Sequence, residues 1–565
     1  EEGGDEAIPA SIQSLVLARL DRLEPLDRQA FQAASVIGQR FELTLLRQLI
    51  GSPHYACEGL VRNALILPEG DGFLFAHALI QEGAYLSLLR ARRRELHRDA
   101  ADWFAERDLV LRAQHLDRAE DDRAPSAYLA AATAQRSAYH AEAALRLASR
   151  GTAIARGDVE RHALICLTGE LQRDLGDIAA SIATYRDAVA GAPDETALCR
   201  AQLGLAEGLR VSEGLAEALA LLEAAENLAG RHELMLELAR LHHLRGNILF
   251  PLGKIEGCRL EHERGLGFAR RSGSAEAEAR SLGGLADAAY AQGRMGTAFQ
   301  HFNGCVELSR KHGFGRIEVA NRSMVGFSRI YLNEPRQARE DGKAATRTAA
   351  LVGQLRAEML GETIGVFACY ELGAYAPMQV HLEREMRLIR QLGARRFEAQ
   401  NLEMQGRLLL DTDRRADADA ALREALAICR EVGTQFSGPK ALAALSRVVR
   451  EQAERDHLLA EGEQLLRQGS VGHNHLWFYR DAIEAMLVAG DAVGALRYAA
   501  ALETYTASEP LPWADLFVAR GRALAGGLQG RDPTTTRREL SNVRSTLLDT
   551  GLTAFLPAIE KALTA

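Results

Sequence analysis

The residues of this chain that could do chemistry do not assemble into a recognised catalytic motif. A phosphate-binding loop requires Gly-x-x-x-x-Gly-Lys-Ser/Thr, whereas Gly438-Pro439-Lys440 has neither the spacing nor the hydroxyl. A zinc-binding helix requires His-Glu-x-x-His, but Leu236 and Leu266 stand where the second histidine would follow His232 and His262. We therefore predict that this chain is not an enzyme by itself and contains no catalytic residue.

Two histidine clusters, His242-His243 and His473-Asn474-His475, are the remaining candidates for metal ligands. Neighbouring side chains on a helix point in different directions, and no cysteine or carboxylate cluster joins either group. The seven cysteines are scattered singly, without a Cys-x-x-Cys pair, which is typical of core thiols in a reducing compartment. We predict no metal site.

A basic cluster follows the first 89 residues of the chain. Its members are Arg90, Arg92, Arg93, Arg94 and Arg98. Such a cluster could bind the phosphates of a nucleotide or nucleic acid. The favoured interpretation is a solvated helix face that pairs with Glu95, Asp99 and Asp102.

His77 is the sharpest candidate for a binding residue. It follows a predicted β-hairpin directly and opens a predicted helix, Phe73-Leu-Phe-Ala-His77-Ala-Leu-Ile-Gln-Glu82. A ring nitrogen that can donate a hydrogen bond, placed beside the free amides of a helix N-terminus, favours the binding of an anion. A capping or packing histidine is the equal alternative, and the spacing alone does not separate the two.

The elements around His77 predict a winged-helix-like domain of three helices and one β-hairpin. Amphipathic helices are predicted at residues 9–23, 26–37, 43–50 and 54–64, with strands at 65–67 and 73–75 and further helices at 77–89 and 90–106. The helix over 54–64 would enter a DNA groove, but it offers one arginine and one glutamate. Because the net charge is also -8, nucleic-acid binding is disfavoured.

The rest of the chain keeps a 40-residue period. Turn-forming residues recur at this step in two series, Gly273, Gly313, Gly353, Gly393, Gly433 and Gly253, Gly293, Asn333, Gly373, Asp413. Two further series have the same step. One consists of bulky apolar residues, Phe250, Tyr290, Ile330, Tyr370 and Leu410, and the other of mostly small residues, Gly246, Ala286, Gly326, Val366 and Gly406. Helix, turn, helix and turn at a fixed period indicate a solenoid.

The predicted fold is therefore mainly α. A winged-helix-like domain over residues 1–107 precedes a right-handed α-α solenoid over 108–565, with about ten to eleven tetratricopeptide-like hairpins. The chain begins without methionine, which suggests a fragment, and it shows neither a signal peptide nor a membrane-spanning run. We expect a cytoplasmic location.

Several segments together resemble bacterial signal-transduction ATPases of the STAND class. They are residues 8–23, residues 34–38 (Ala-Ser-Val-Ile-Gly), residues 75–85 (Phe-Ala-His-Ala-Leu-Ile-Gln-Glu-Gly-Ala-Tyr), Leu88-Leu89 and residues 93–97 (Arg-Arg-Glu-Leu-His). Such proteins are similar to AAA-type ATPases and couple a nucleotide-binding domain to a winged helix and a tetratricopeptide-like solenoid. Many are fused to a class III adenylate or guanylate cyclase, and others to a kinase or a DNA-binding domain.

The resemblance implies a role for His77. In the wider class, a Met-His-Asp-like motif follows the winged-helix hairpin, and its histidine contacts the β-phosphate of ADP in the resting state. Here Ala76 and Ala78 replace the motif's neighbours. The implied cofactor is ATP or ADP, bound with a nucleotide-binding domain upstream of Glu1. The resemblance also implies regular 34-residue units, whereas this array steps by 40.

Three functions follow as alternatives. The first is the regulatory and sensor part of a STAND-type ATPase, in which a protein or small effector binds the concave solenoid face and activation brings self-association. The second is a non-enzymatic scaffold for protein interactions. The third, an ATP-dependent transcription regulator, is disfavoured because residues 542–565 carry only Arg544 and Lys561 as cations.

Overall fold

A computed structural model describes residues 19–212, 214–351 and 354–564 of the chain. Most of the helix predicted at residues 9–23 and the predicted turn residue Gly353 lie outside these ranges. The chain divides into two compact units, Glu1–His232 and Glu233–Ala565. The predicted domain boundary between residues 107 and 108 stays a prediction.

The first unit opens with a small helical and β-stranded domain. Its elements are α1 (Pro25–Ile37), β1 (Arg40–Glu42), α2 (Leu43–Ile50), α3 (Glu58–Arg62), β2 (Ile66–Glu69) and β3 (Gly72–Phe75). The three strands form an antiparallel sheet in the order β1-β3-β2. This succession of helices and strands is that of a winged helix, with β2 and β3 forming the predicted hairpin.

Two features of this domain differ from the prediction. Strand β1, which pairs Arg40 with Leu74, was not predicted, because three residues are too few to show an alternating pattern. The helix predicted at 54–64 is shorter, because Cys57 has a left-handed backbone (φ 63°) and α3 begins only at Glu58. The domain therefore has a three-stranded sheet and a recognition-type helix of five residues.

An aromatic cluster fixes the sheet to the helices. The ring centroid of Phe75 on β3 lies 5.3 Å from that of Phe31 on α1 and 5.6 Å from that of Phe41 on β1. All three side chains are buried, together with Leu46 and Leu60. Because His77 follows Phe75 by two residues, this core sets the position of the candidate binding residue.

Helices make up the rest of the first unit. They are α4 (Ala78–Ser87), α5 (Arg90–Trp103), α6 (Leu109–Arg118), α7 (Ala124–Ser137), α8 (Ala141–Ile154), α9 (Asp158–Asp174), α10 (Ile178–Ala190), α11 (Glu195–Val211) and α12 (Leu215–Arg231). From α7 onward, consecutive helices pack in pairs as helical hairpins.

The second unit continues with helical hairpins. Its helices are α13 (Met235–Leu249), α14 (Ile255–Ser272), α15 (Ala275–Ala291), α16 (Met295–His312), α17 (Gly315–Ile330), α18 (Pro335–Leu351), α19 (Leu355–Glu371), α20 (Tyr375–Leu392), α21 (Arg395–Asp411), α22 (Arg415–Val432), α23 (Gly438–Val448), α24 (Gln452–Arg467), α25 (Gly472–Val488), α26 (Ala492–Thr506), α27 (Pro512–Leu528), α28 (Pro533–Thr550) and, after a 3-10 turn at Thr553–Phe555, α29 (Leu556–Thr564). Within the described part of the chain, no helix is long and apolar enough to cross a membrane.

The turns of the second unit confirm the 40-residue period. The non-glycine members of the turn series, Asn333 and Asp413, have φ of 59° and 61°, so they adopt the left-handed conformation of the glycines around them. The small series marks close helix approach, since a Cβ on Gly406 would lie 2.5 Å from Leu422 Cγ. The mainly α fold with a solenoid of helical hairpins is therefore confirmed.

Candidate functional sites

His77 is the N-cap residue of α4. Its Nδ1 accepts a hydrogen bond from the Leu79 amide at 3.2 Å. Because Nδ1 accepts, the neutral ring carries its proton on Nε2, and the side chain is exposed. The structure thus places a capping histidine with an outward donor directly after the winged-helix hairpin, and contact with an anion stays a prediction.

The basic cluster on α5 is paired, but mainly with a different partner than predicted. Arg92 does pair with Glu95 at 2.6 Å. Arg90 instead donates from Nε to Glu120 Oε1 at 3.0 Å, and Arg98 lies 3.4 Å from Asp121. In the sequence, the acidic turn after α6 lies more than twenty residues from the arginines that it binds. The local sequence therefore did not predict the pairing.

The same acidic turn lines a cavity of about 510 Å³ in the first unit. Each of its central carboxylates already holds an arginine: Asp117 binds Arg150 at 2.7 Å, and Asp122 binds Arg156 at 3.3 Å. The charges of Asp117 and Asp122 are therefore compensated within the unit.

The other histidines singled out in the sequence have structural partners. His242 Nδ1 lies 2.8 Å from Glu261 Oε2, and His473 Nε2 donates to the Phe436 carbonyl at 2.8 Å. The His475 ring stacks on Tyr505 with centroids 4.3 Å apart. Among residues 19–212, 214–351 and 354–564, no group of three or more histidine, cysteine or acidic side chains could hold a metal ion.

A buried histidine pair that the sequence did not reveal joins α5 to α6. His97 and His115 are almost fully buried, and their Nδ1 atoms are 2.8 Å apart. The other ring nitrogen of His97 lies 3.0 Å from the Tyr85 hydroxyl on α4. Burial lowers the pKa of His97 to about 3 and that of His115 to about 4. Nothing in their local sequence signals this contact.

The pair predicts a loss of stability on acidification. Both pKa values are lower in the folded chain than the ordinary 6.5, so the unfolded chain binds more protons below pH 6.5. The free energy of unfolding is highest above pH 6.5. It falls toward pH 4 by up to about 1.4 kcal/mol per pH unit for each histidine. Hydrogen–deuterium exchange of α5 and α6 at pH 7.0 and 5.5, corrected for intrinsic rates, measures this change.

The variant His97→Gln/His115→Gln supplies the comparison. It should show a flatter dependence of protection on pH, whereas His54→Gln, at an exposed position of the same unit, should leave the dependence as it is. An equally steep dependence in the double variant would refute the assignment.

The second unit contains a buried cluster of four cations and four carboxylates, which we call the inner charge cluster. Its members are Arg407, Lys440, Arg447, Arg480, Glu371, Glu403, Asp411 and Asp481. Most of these side chains are at most 1% exposed. The formal charges balance, so the cluster is neutral without any ligand.

Asp481 is the hub of the inner charge cluster. Its carboxylate lies 2.5 Å from Arg407, 3.5 Å from Arg447 and 3.6 Å from Arg480. Burial acts to raise its pKa, but the three guanidinium groups outweigh burial and hold the pKa below its usual value. Asp481 is therefore ionised inside the protein.

Aromatic rings surround the cluster. The Arg480 guanidinium carbon is 3.8 Å from the ring centroid of Trp477 and 5.3 Å from that of Trp513, and Arg480 Nη1 donates to Glu371 at 2.8 Å. Desolvated guanidinium groups over aromatic faces gain substantial cation–π attraction. Because six of the eight charged side chains are at most 1% exposed and pair with one another, we assign the cluster a structural role.

These contacts close the second unit on itself. Helices α25 and α27 cover one face of α15, α17 and α19. We call this covered face the inner face. Trp477 Nε1 donates to the Tyr331 hydroxyl at 2.9 Å, and Tyr505 donates to the Gln292 carbonyl at 3.1 Å. Glu509 accepts from the Thr297 amide at 3.0 Å and from its hydroxyl at 2.6 Å. In this part of the solenoid, later helices of the chain cover one face of earlier helices, and a partner on the concave face stays a prediction.

The sequence gives only a weak indication of the inner charge cluster. Glu403 and Arg407 are spaced i,i+4, and Lys440 and Arg480 each stand among apolar residues of a helix. Ion pairs at such spacing are common on solvated helix faces, so the pattern alone does not predict burial.

Comparison with known proteins gives no family. No protein-family model matches the chain, and no curated protein matches it in sequence. Solved structures resemble it only in fold. A STAND protein with a tetratricopeptide repeat sensor from Pyrococcus horikoshii is 12% identical, with a TM-score of 0.49, over 85% of this chain and 67% of that chain.

Two further solved structures are similar to the same extent. The apo form of RapI is 10% identical, with a TM-score of 0.41, over 67% of this chain and 98% of its own. The APC/C hetero-tetramer Cut9-Hcn1 is 11% identical, with a TM-score of 0.43, over 87% of this chain and 92% of its own. At identities this low, the likeness concerns the fold alone.

Proposed function

We propose that this chain is the regulatory and sensor part of a STAND-type signal-transduction ATPase. The winged-helix domain contacts an upstream nucleotide-binding module, and the solenoid binds a protein or effector whose arrival changes that contact. The observation that carries the proposal is His77, an exposed N-cap histidine with an outward Nε2 donor immediately after the hairpin. ATP or ADP would be held jointly with the upstream module, and a cyclase is one possible output.

The site of the partner follows from the closed second unit. Because α25 and α27 cover the inner face, a partner reaches that face only after these helices move away, or it binds elsewhere on the solenoid. Binding that requires such opening would link partner capture to a change of shape, as a sensor needs.

A protein-interaction scaffold without nucleotide is the second candidate. The N-cap hydrogen bond to Leu79 explains the position of His77 without any ligand. The basic cluster on α5 is likewise satisfied by the acidic turn after α6, which leaves the winged helix as a passive end of the array.

Two substitutions at His77 separate these candidates. In the complete protein with its nucleotide-binding module, His77→Ala removes both the cap and the ring donor, whereas His77→Asn keeps a good N-cap and removes only the donor. If the ring contacts phosphate, both variants should bind ADP with about 10- to 100-fold lower affinity. This is the change expected from the loss of one hydrogen bond to a charged group. Basal output should rise accordingly.

The measurement is the dissociation rate of bound ADP, with His54→Ala as a matched exposed histidine of the same domain. An ADP affinity in His77→Asn equal to that of the unchanged protein would show that His77 only caps α4. The scaffold candidate would then be preferred.

A further inference from the structure

Arg356 and Arg396 form an unusual pair of guanidinium groups in the second unit. They occupy the same place in successive repeats, 40 residues apart, in the first turns of α19 and α21. Their guanidinium carbons are 5.8 and 5.1 Å from the ring centroid of Phe397, so the two groups lie within about 11 Å of each other. Two cations are thus held on one aromatic ring.

Neither arginine has a carboxylate partner among the residues that the structure describes. In the first turn of α21, Glu398 does not compensate them, since it is bound by Arg395 at 2.6 Å. Burial lowers the pKa of Arg396, and the charge of Arg356 lowers it further. The first turn of a helix is also the end that the helix dipole makes unfavourable for a cation.

Some other arginines of the second unit are compensated by a carboxylate. Arg270 pairs with Glu278 at 2.9 Å, and Arg310 pairs with Glu318 at 3.3 Å. Arg430 pairs with Glu461 at 2.9 Å on the next hairpin. What sets Arg356 and Arg396 apart is that both guanidinium groups lie over one aromatic ring, that of Phe397.

The aromatic support of the pair is held in place by buried groups. Arg396 also lies 5.1 Å from the ring centroid of Phe436, which packs edge-on to Phe397. The Phe436 carbonyl accepts hydrogen bonds from His473 Nε2 at 2.8 Å and from Asn474 at 3.0 Å. Because both donors are buried, the surface beneath the arginines is pre-formed.

We propose that Arg356 and Arg396 bind an acidic segment of a protein partner that lies across the ends of α19 and α21. Both arginines are exposed on an edge of the unit rather than enclosed in a cavity, which suits an extended chain better than a small molecule. Guanidinium groups bind carboxylates bidentately, and about three extended residues span the distance between the pair. The inference rests on the proposed interaction role of the solenoid and deepens it.

A fluorescently labelled peptide of ten glutamates tests the site on the full chain. We expect binding that Arg356→Gln/Arg396→Gln weakens about tenfold or more, since two charge-assisted contacts are lost. The control, Arg384→Gln/Arg387→Gln, removes two exposed arginines of α20 and changes the net charge equally, so it should shift the affinity less than about twofold. Thermal unfolding midpoints equal to that of the unchanged chain establish that both variants are folded.

Three results would overturn the proposal. The first is no binding of the peptide by the unchanged chain, and the second is equal weakening by the control variant. The third is displacement of the peptide by inorganic phosphate at the same concentration as by free peptide, which would indicate a site for small oxyanions. None of these measurements involves nucleotide, so they leave the ADP test of His77 independent.

Discussion

Replacing Asp481 with asparagine is expected to destabilise the second unit by about 3 to 5 kcal/mol, the usual effect of breaking a buried ion pair. Asparagine has nearly the same shape, but it carries no charge for Arg407, Arg447 and Arg480, which all lie within 3.6 Å of the carboxylate. Four buried cations would then face three carboxylates. The excess positive charge cannot be solvated, because Arg407 and Arg480 are at most 1% exposed.

Tryptophan fluorescence during urea unfolding measures this effect. Trp477 and Trp513 are buried in the second unit, and Trp103→Phe removes the signal of the first. The matched control is Asp419→Asn, which breaks the exposed pair with Arg423 and should change stability by less than about 1 kcal/mol. A similarly small effect for Asp481→Asn would mean that water enters the inner charge cluster.

Replacing Gly472 with alanine is expected to destabilise the closure of the second unit by about 3 kcal/mol, at the upper end of the range for overpacking. A Cβ at this position would lie 2.2 Å from the Gly293 nitrogen and 2.5 Å from the Gly293 Cα. These are backbone atoms, so no rotamer change relieves the clash. The start of α25 must move away from the turn between α15 and α16, and the hydrogen bonds of Tyr505 and Glu509 across the same contact weaken.

The readouts are the chemical unfolding midpoint and the hydrogen exchange of α15, α16 and α25. Gly267→Ala is the control, because nothing lies within 4 Å of a Cβ there and alanine favours the interior of α14. We expect Gly267→Ala to be neutral or slightly stabilising. Unchanged exchange of the α15–α16 turn in Gly472→Ala would show that this close contact does not hold the unit closed.

The repeat and the hairpin could be predicted because their signals are local. Asn333 and Asp413 stand at fixed spacing from the glycines of the same series, and each ends a helix through its own backbone conformation. Strands β2 and β3 are joined by only two residues, Gly70 and Asp71. Strand β1 is equally real but pairs with residues at least thirty positions away, and its three residues carry no pattern.

The inner charge cluster and the covered inner face could not be predicted for a related reason. Arg480 reaches Glu371 across 109 residues of sequence, and Trp477 reaches Tyr331 across 146. A periodic sequence predicts contacts between neighbouring hairpins, but it does not state how far the array curves before later hairpins meet earlier ones. The candidate site shows the same limit, since the position of His77 was predictable and the pairing of its neighbouring arginines with Glu120 was not.

The closure has a consequence for how the second unit folds. An open solenoid behaves as a one-dimensional array, in which each hairpin is stabilised by its neighbours and ends can unravel. The bonds between Glu509 and Thr297 join residues 212 positions apart, and the entropy of closing such a loop is about 5 kcal/mol. That entropy is recovered only when all the hairpins between are in place. We therefore expect the second unit to unfold cooperatively, and to fold more slowly than its local helices alone would, because these contacts raise its contact order.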